Sequence, residues 1–397
     1  MKISKRIGGV EYAIRDITLY AKELEKKGRD ILYLNIGDPV LYDFKTPEHI
    51  KEALINAVRS DKNYYPASEG IIELRNKIVD IEKRKGMDLS IEDVIITNGV
   101  SEGIYMLMAS IVDEGDEVLV PGPCYPPYSS YTKLFGGKPI EYRCSPENNW
   151  MPDIDDLKQK INEKTVAIVI INPNNPTGAV YDKDVLKEIS DLASSNNIYL
   201  ICDEIYDRIV FEDRFTSIAS IAKDAPLIML NGFSKVYLMT GWRLGYLCMN
   251  DKVSDDLKRE LPKLARLRVS SNMPVQYAAL EALSNKDYFI KDMVEKLKER
   301  RDYIVKRLDG INGLDAIKPR GAFYIFPKID LSIGNWRNDL DFVKELLEET
   351  GVLTVNGSGF GKQYGSGFFR IVYLPPMDIL EESMDRLEAF MNKRSKG

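Results

Sequence analysis

The sequence predicts an α/β fold with two lobes, a large lobe built on a mostly parallel central sheet and a smaller α+β lobe. Short runs rich in Val and Ile alternate with helical patterns through the first three quarters of the chain, which is typical of a sheet covered by helices on both faces. The pattern then changes to shorter strands. With 397 residues the chain is longer than one hydrophobic core usually supports, so two lobes are expected.

Six apolar runs have the length and composition of buried strands. The predicted strands are 93–98, 117–122, 166–172, 198–204, 227–233 and 244–249. Helical periodicity indicates five helices in the same part of the chain. The predicted helices are 47–59, 71–85, 101–113, 182–196 and 274–284.

A strongly charged helical pattern at 286–309 is predicted to carry the chain out of the large lobe. Three short apolar runs and two helical patterns follow it. They are strands within 322–329, 352–357 and 368–374, and helices near 339–350 and 376–393. We therefore assign 46–290 to a large domain and 1–45 together with 291–397 to a small domain, which the N-terminal residues are expected to join.

The composition limits the possible partners and location. A net charge of −6 argues against binding to a nucleic-acid backbone, which needs a clustered basic surface. No apolar stretch is long enough to span a bilayer, and the charged N-terminal stretch lacks the apolar core of a signal peptide. We expect a cytoplasmic protein with no membrane and no nucleic-acid partner.

The cysteines and the single histidine exclude several kinds of site. Cys124, Cys144, Cys202 and Cys248 form no CxxC pair and have no histidines at metal-ligand spacing, so we expect thiols and no metal. The one histidine, His49, falls in an amphipathic helical pattern, where a surface or packing role is far more common than catalysis. This excludes a Ser-His-Asp mechanism, and proton transfer must use Lys, Tyr, Asp or Glu.

Polar and aromatic residues follow the predicted strands at their carboxyl ends, where ligands bind in α/β sheets. They lie in the stretches Gly99-Val100-Ser101, Pro123-Cys124-Tyr125, Asn172 to Gly178, Asp203 to Tyr206, and Ser234-Lys235. An aromatic ring, an amide, a carboxylate, a phenol and a lysine thus converge on one edge of the sheet. The sequence predicts a binding site there.

The stretch from Asn231 to Tyr246, NGFSKVYLMTGWRLGY, resembles the lysine signature of class I/II aminotransferases, the fold-type-I pyridoxal-phosphate enzymes. Five further motifs stand in that family's order. They are Gly37-Asp38-Pro39, Tyr65 before Gly70, Asn172 to Gly178, Asp203 to Tyr206, and Phe369-Arg370. The resemblance covers nearly the whole chain, and the stretches GPCYPPY and FGGKPIEYR are most similar to the alanine-aminotransferase-like branch. It implies pyridoxal 5′-phosphate as the cofactor, and amino acids and 2-oxo acids as substrates.

The resemblance implies that four residues contact the cofactor ring. Asp203 would keep the pyridine nitrogen protonated by charge pairing. An isolated Asp is often a helix cap, but the Asp-x-x-Tyr spacing favours the cofactor role. Asn175 and Tyr206 would donate hydrogen bonds to the phenolate oxygen. Tyr125 would lie on the ring face, the alternative being a packed loop aromatic.

The cofactor phosphate needs hydrogen-bond donors and positive charge. Val100 and Ser101 begin a predicted helix whose N-terminal N–H groups form an anion site. Arg243 would add its planar guanidinium and Ser234 a hydroxyl. Relatives often have Ser three residues before the lysine, where this chain has Gly232, so one phosphate donor is expected to be missing or replaced by water.

Lys235 is implied to be the Schiff-base lysine and, once freed by substrate, the base that moves a proton between Cα and C4′ of the cofactor. With Asp203 and Tyr206 it forms the predicted catalytic set. Arg370 would clamp the substrate α-carboxylate, with the Gly37 backbone and Asn175 nearby; as an isolated residue it could be a strand-edge charge. Tyr65 matches a tyrosine that reaches the neighbouring subunit's phosphate, which implies a homodimer with shared active sites.

The fold alone does not decide the reaction, because lyases, decarboxylases and cyclopropane-forming synthases share it. The alanine-branch motifs favour transfer of an amino group to 2-oxoglutarate, with alanine as the preferred donor and aspartate or broad specificity as the alternative. A cofactor-sensing regulator would need a basic DNA-binding module, which this acidic chain lacks.

The register near residue 270 bears on the choice between alanine and aspartate. Dicarboxylate-using relatives carry an arginine five residues before the Asn of a Ser-Asn-x-Pro stretch, and here that position is Leu267, between Arg266 and Arg268. Either arginine could serve the longer side chain of glutamate. Asn356 replaces a proline usual in relatives, so the loop that follows is expected to differ in shape.

Overall fold

The computed structural model describes residues 3–10, 12–212, 214–284 and 286–395. Within these ranges the helices are α1 (Ala13–Lys26), α2 (Glu48–Arg59), α3 (Ile72–Lys85), α4 (Val100–Ile111), α5 (Pro127–Leu134), α6 (Ile154–Lys160), α7 (Lys183–Ser195), α8 (Asp255–Glu260), α9 (Pro262–Leu267), α10 (Met273–Ala282), α11 (Tyr288–Leu308), α12 (Asp339–Thr350) and α13 (Met377–Ser395). The strands are β1 (Leu32–Tyr33), β2 (Val94–Thr97), β3 (Glu117–Gly122), β4 (Lys138–Arg143), β5 (Thr165–Ile171), β6 (Tyr199–Asp203), β7 (Leu227–Gly232), β8 (Gly245–Met249), β9 (Leu314–Asp315), β10 (Tyr324–Ile325), β11 (Lys328–Ile329), β12 (Val352–Leu353), β13 (Val355–Asn356) and β14 (Phe369–Val372).

The central sheet has seven strands in the order β2-β8-β7-β6-β5-β3-β4. Strands β4, β3, β5, β6 and β7 run parallel, and β8 is antiparallel to both β7 and β2. Parallel neighbours need a helical crossover, and α7 supplies one between β5 and β6. The link from β7 to β8 is only twelve residues long, and β8 returns antiparallel to β7. The structure confirms the predicted α/β class with a mostly parallel sheet.

Each strand of the sheet sends alternate side chains to opposite faces. In β5, Ile168 and Ile170 belong to the apolar core under α3, α7 and α10, whereas Val169 and Ile171 belong to the core under α4, α5, α8 and α9. All four are at most 1% exposed. Burial on both faces explains why the strands read as continuous apolar runs in the sequence.

The C-terminal part forms a second group of small sheets. The strands β10, β14 and β13 pair antiparallel, β11 pairs with β9, and α12 and α13 pack together beside them. β1 pairs parallel with β12, which brings the N-terminal segment to this group. The division into 46–290 and 1–45 with 291–397 stays a prediction. Residues 1, 2, 11, 213, 285, 396 and 397 of those ranges lie outside the described residues.

The eight helices predicted from the sequence are confirmed with ends within two residues of the observed ones. Several elements were missed. β4 is an edge strand that carries Lys138, Glu141 and Arg143 and is mostly half-exposed, so it lacks the apolar run of a buried strand. α1 was also missed, although Ile14, Ile17 and Ala21 recur at helical spacing and are buried. The short helices α5, α6, α8 and α9 had no clear periodic signal.

Candidate active site

A cavity of about 510 Å³ lies at the carboxyl ends of the parallel strands, a volume typical of small-molecule sites. Eleven of the twelve predicted site residues line it. They are Gly37, Val100, Ser101, Tyr125, Asn175, Asp203, Tyr206, Ser234, Lys235, Arg243 and Arg370. The twelfth, Tyr65, lies outside this cavity and is 82% exposed.

Asp203 ends β6 with its carboxylate buried in the cavity wall. Oδ2 accepts a hydrogen bond from the hydroxyl of Tyr128 at 2.9 Å, and Oδ1 accepts one from the N–H of Ile205 at 3.1 Å. Burial raises the pKa of Asp203 to about 6, although these hydrogen bonds and the charge of Lys235 act in the opposite direction. A cation brought against this carboxylate would be strongly favoured, since the charged form is otherwise poorly solvated.

Lys235 lies three residues beyond β7, in the loop that leads to β8. Its Nζ donates to the carbonyl oxygen of Gly37 at 2.6 Å. Burial lowers the pKa of Lys235 to about 8, with Arg243 and Arg370 adding to the effect and Asp38 opposing it. A substantial fraction of the amine is therefore neutral near physiological pH, as a nucleophile or base requires.

The start of α4 and the side chain of Arg243 form one end of the cavity. Arg243 has a left-handed backbone with φ 55°, and its Nη1 donates to the Thr240 carbonyl at 3.1 Å. Gly99, the N-cap of α4, has φ 78°, and a Cβ there would lie 2.5 Å from Nη2 of Arg243. Glycine therefore suits both this backbone conformation and the close approach of the arginine beside the N–H groups of Val100 and Ser101. Together they form an anion site.

Arg370 lies at the other end of the cavity and is 1% exposed. Its Nη1 donates to Oδ1 of Asn175 at 2.8 Å, and its Nη2 donates to the Asn35 carbonyl at 2.5 Å. The guanidinium is sandwiched between the rings of Tyr324 at 4.6 Å and Phe360 at 4.7 Å. Burial lowers the pKa of Arg370. Because both acceptors are neutral and Nε has no partner among the described residues, an anionic ligand would relieve a buried positive charge.

Several lining residues were missed by the sequence analysis. They are Tyr12, Arg15, Asp38, Thr240 and Tyr324, with Tyr128 behind Asp203. The hydroxyls of Tyr12 and Tyr125 share a hydrogen bond of 3.3 Å, and Thr240 donates to Asp38 at 2.8 Å. Asp38 was quoted within Gly37-Asp38-Pro39, so a signal for it existed. Nothing in the linear sequence places α1 at the cavity.

The structure also shows where the residues lie at which this chain differs from its relatives. Gly232 does not line the cavity, and a Cβ there would lie 3.0 Å from Gly245 Cα on the neighbouring strand. Arg268 is held by Glu102 at 3.1 Å and by the Ile96 carbonyl at 2.5 Å, away from the cavity of its own chain. Arg266 is 62% exposed and 3.5 Å from a Glu69 oxygen. The suggestion that either arginine serves glutamate therefore finds no support within one chain.

Leu267 and Asn356 lie outside the cavity as well. Leu267 is 80% exposed and does not line this chain's cavity. Asn356 ends β13, and its Nδ2 donates to the Ser358 hydroxyl at 2.8 Å, which stabilises the turn that follows.

The cavity suits pyridoxal phosphate. The α4 N-terminus with Arg243 can hold a phosphate, Asp203 can pair with a protonated ring nitrogen, and Lys235 offers a partly neutral amine. Arg370, whose buried Nε is unpartnered within the described residues, is left for a substrate carboxylate.

The described residues hold no cluster of three or more His, Cys, Asp or Glu side chains that could bind a metal. In the same ranges no helix has the length and apolar character needed to cross a membrane.

Comparisons with known proteins agree with this geometry. The family Aminotransferase class I and II matches residues 29–387. Glutamate-pyruvate aminotransferase AlaA of Haemophilus influenzae is 39% identical over 396 residues, covering 98% of each chain. An aspartate aminotransferase of Pyrococcus horikoshii is 38% identical over 372 residues, covering 92% of each. A solved alanine aminotransferase from Pyrococcus furiosus is 52% identical with a TM-score of 0.95, covering 99% of this chain and 100% of that one.

These matches confirm the resemblance and the cofactor predicted from the motifs. The chain belongs to the class I and II aminotransferases and is a pyridoxal-phosphate-dependent enzyme that moves amino groups between amino acids and 2-oxo acids.

Proposed function

We propose that the enzyme transfers the amino group of alanine to 2-oxoglutarate, giving pyruvate and glutamate. The observation that carries this proposal is the set of cationic side chains on the cavity wall. Within the described residues these are Arg15, Lys235, Arg243 and Arg370. Two of them suit the cofactor and one suits an α-carboxylate, which leaves a single cation for a second substrate carboxylate.

When bound, pyridoxal phosphate supplies a sink for the electrons released at the substrate's Cα. Asp203 would hold the ring nitrogen in its protonated form, and its pKa, raised to about 6 by burial, would fall again beside that cation. Asn175 and Tyr206 would donate to the phenolic oxygen. Val100, Ser101, Ser234 and Arg243 would hold the phosphate, and Tyr125 would contact the ring face.

Lys235 would take the proton from the substrate's Cα. Its lowered pKa of about 8 makes the neutral amine, which can accept that proton, far more abundant than it is for an ordinary lysine. The cavity residues offer no histidine, and Asp203 would be occupied with the ring nitrogen. Tyr206, whose pKa burial raises well above its usual value, would serve as a donor rather than a base.

Arg370 would bind the α-carboxylate of every substrate. Its guanidinium is already oriented by Asn175, Asn35 and two aromatic rings, so little conformational entropy is lost on binding. The Gly37 backbone lies close by, and a Cβ there would lie 2.2 Å from the hydroxyl of Tyr324. This close approach requires glycine and would keep the cavity narrow beside the bound carboxylate.

We assign Arg15 to the distal carboxylate of 2-oxoglutarate and glutamate. It lies in the first turn of α1, is exposed, and lines the cavity. A long, flexible side chain from a segment at the cavity mouth can pair with the distal carboxylate when glutamate is present and remain in solvent when alanine is present. Arg15 thus provides a partner for the distal carboxylate of 2-oxoglutarate, which Arg266 and Arg268 do not reach within one chain.

A homodimer with Tyr65 at the partner's phosphate remains part of the proposal. Tyr65 is 82% exposed, Leu267 80% and Val269 49%. The Ser68 hydroxyl donates to the Val269 carbonyl at 2.6 Å, so these apolar side chains lie on neighbouring segments. An exposed apolar surface of this kind supports a protein interface.

A cytoplasmic location also remains a prediction, which the four buried free cysteines support.

Aspartate as the donor is the alternative, supported by the similarity to a protein named aspartate aminotransferase. The test is kcat/KM for alanine and for aspartate at saturating 2-oxoglutarate. We expect alanine to be preferred. A ratio favouring aspartate by tenfold, about 1.4 kcal/mol of transition-state discrimination, would overturn the alanine assignment.

Arg15→Gln tests the proposed role of Arg15. It should raise KM for glutamate and 2-oxoglutarate and leave KM for alanine and pyruvate unchanged. Equal effects on both pairs of substrates would refute the role of Arg15.

A further inference from the structure

Tyr324 is a buried cavity residue whose ring contacts Arg370 but whose hydroxyl has no chemical role in the function proposed above. It begins β10 and is 2% exposed. Its hydroxyl forms a hydrogen bond of 2.8 Å with the hydroxyl of Tyr206, which is 4% exposed. The two residues are 118 positions apart in the chain, so the small sheets of the C-terminal part contribute this contact to the turn after β6.

The two oxygen positions are compatible with either hydroxyl as the donor, but the number of protons in the pair limits what Tyr206 can do. A tyrosine hydroxyl has one proton and can donate one hydrogen bond. If Tyr206 spends its proton on Tyr324, it has none left for the phenolic oxygen of the cofactor. Tyr206 can donate to the cofactor and keep its bond to Tyr324 only when Tyr324 is the donor.

The surroundings favour Tyr324 as that donor. The ring of Tyr324 lies 4.6 Å from the Arg370 guanidinium. Burial raises the pKa of both hydroxyls, and the charge of Arg370 acts against this rise at Tyr324. A nearby positive charge makes a hydroxyl a better hydrogen-bond donor. The groups that act on Tyr324 are Arg370, Tyr206, Tyr12 and Asp203.

Packing holds the Tyr324 hydroxyl in place. A Cβ at Gly37 would lie 2.2 Å from that oxygen, so the Gly37 backbone closes one side. The ring also packs against Phe323, with centroids 4.7 Å apart, and against the ring of Tyr206 at 5.7 Å. The hydroxyl therefore has little freedom to turn away from Tyr206.

We propose that Tyr324 is a positioning residue that donates to Tyr206 and thereby directs the Tyr206 proton toward the phenolic oxygen of the cofactor. It acts through Tyr206 and also contacts Arg370, so it links the carboxylate end of the cavity to the cofactor end. This inference rests on the proposed role of Tyr206.

The test is Tyr324→Phe, which removes one hydroxyl and leaves the ring and its stack on Arg370. In this variant the Tyr206 hydroxyl loses the donor that orients and polarises it, so its hydrogen bond to the phenolic oxygen is weaker and the phenolate charge is less stabilised. The dissociation constant of pyridoxal phosphate, measured by titrating the apoenzyme, should rise about 3- to 10-fold. The pH midpoint of the bound cofactor's visible absorbance should rise by about half a pH unit or more.

Two further variants make the test decisive. Tyr142→Phe removes another fully buried hydroxyl, which donates to the Val169 carbonyl at 2.7 Å outside the cavity, and should change neither quantity. In a Tyr206→Phe background, Tyr324→Phe should add no further shift. If Tyr206→Phe shifts the midpoint and Tyr324→Phe does not, the inference on Tyr324 is wrong and the role of Tyr206 stands. If Tyr206→Phe itself has no effect, the proposed role of Tyr206 fails.

Discussion

Replacing Lys85 by methionine should strongly destabilise the protein, although Lys85 does not line the active-site cavity. Lys85 ends α3, on the face of the sheet that α3 covers. Its Nζ lies 2.9 Å from an Asp207 oxygen, 3.0 Å from Glu82 and 3.7 Å from Glu204. Glu82 and Glu204 are 0% exposed. Burial alone would lower the pKa of Lys85, but the three carboxylates and Tyr246 raise it well above the ordinary value.

The size of the loss in stability depends on the buried carboxylates that remain without a cation when the Lys85 ammonium is removed. Breaking a buried ion pair by deleting one partner typically costs about 3–5 kcal/mol. The variant can escape by protonating a buried carboxylate, and for a group with an ordinary pKa this costs about 3.7 kcal/mol at pH 7 and about 1.6 kcal/mol at pH 5.5. Burial already raises the pKa of Glu204 to about 8, with Lys85 opposing the rise, so protonating this group costs less than protonating an ordinary carboxylate. We expect a loss of about 3 kcal/mol at pH 7.

The sign of the pH dependence also follows. Carboxylates with a raised folded-state pKa stabilise the folded protein most when protonated, and that stabilisation is lost as pH rises through the folded pKa. The gap between Lys85→Met and wild type should therefore be smaller at pH 5.5 than at pH 7.

Unfolding of the holoenzyme by urea, at a fixed excess of cofactor, is the measurement. The free energy of the first unfolding transition is compared between the variants. Lys187→Met is the matched control, because Lys187 pairs with Asp191 at 2.7 Å while both side chains are at least 60% exposed. Its loss should be below about 1 kcal/mol. A loss below 1 kcal/mol for Lys85→Met, or a loss that grows at pH 5.5, would refute the reasoning.

Four further predictions concern the active site. Arg370→Lys should lower kcat/KM for alanine on the order of 100-fold, about 2.8 kcal/mol, because lysine keeps the charge but loses the planar fork held by Asn175; a loss below threefold would contradict the clamp. Borohydride reduction should fix the cofactor to the peptide that contains Lys235, and recovery on another lysine would overturn that assignment. Capture of pyridoxal phosphate by the apoenzyme should quicken with pH around 8, where the Lys235 amine loses its proton. Sedimentation should give a homodimer, in which Tyr65→Phe weakens cofactor binding by about 0.5–1.5 kcal/mol; a fully active monomer would exclude a shared site.

The sequence predicted the site through two local regularities. Buried strands of a parallel sheet are continuous apolar runs, and the residues that follow them meet at one edge. For that reason Tyr125, Asn175, Asp203 and Lys235 could be placed together before any contact was known, and all four line one cavity. Arg370 was found by family resemblance, because a single arginine in a strand has no local signal of its function.

The chain order of the motifs, the α/β class, the positions of eight helices and the cofactor were thus determined by the sequence itself. Only the tertiary structure brought Tyr324 to Tyr206, Arg15 to the cavity mouth and Lys85 to three carboxylates. It also turned Arg268 toward Glu102 and away from the cavity of its own chain. The physical reason is that strand and helix periodicity arises from neighbouring residues, which leave a repeating mark in the sequence. A contact between residues a hundred or more positions apart is decided by how the elements pack, and packing leaves no such mark.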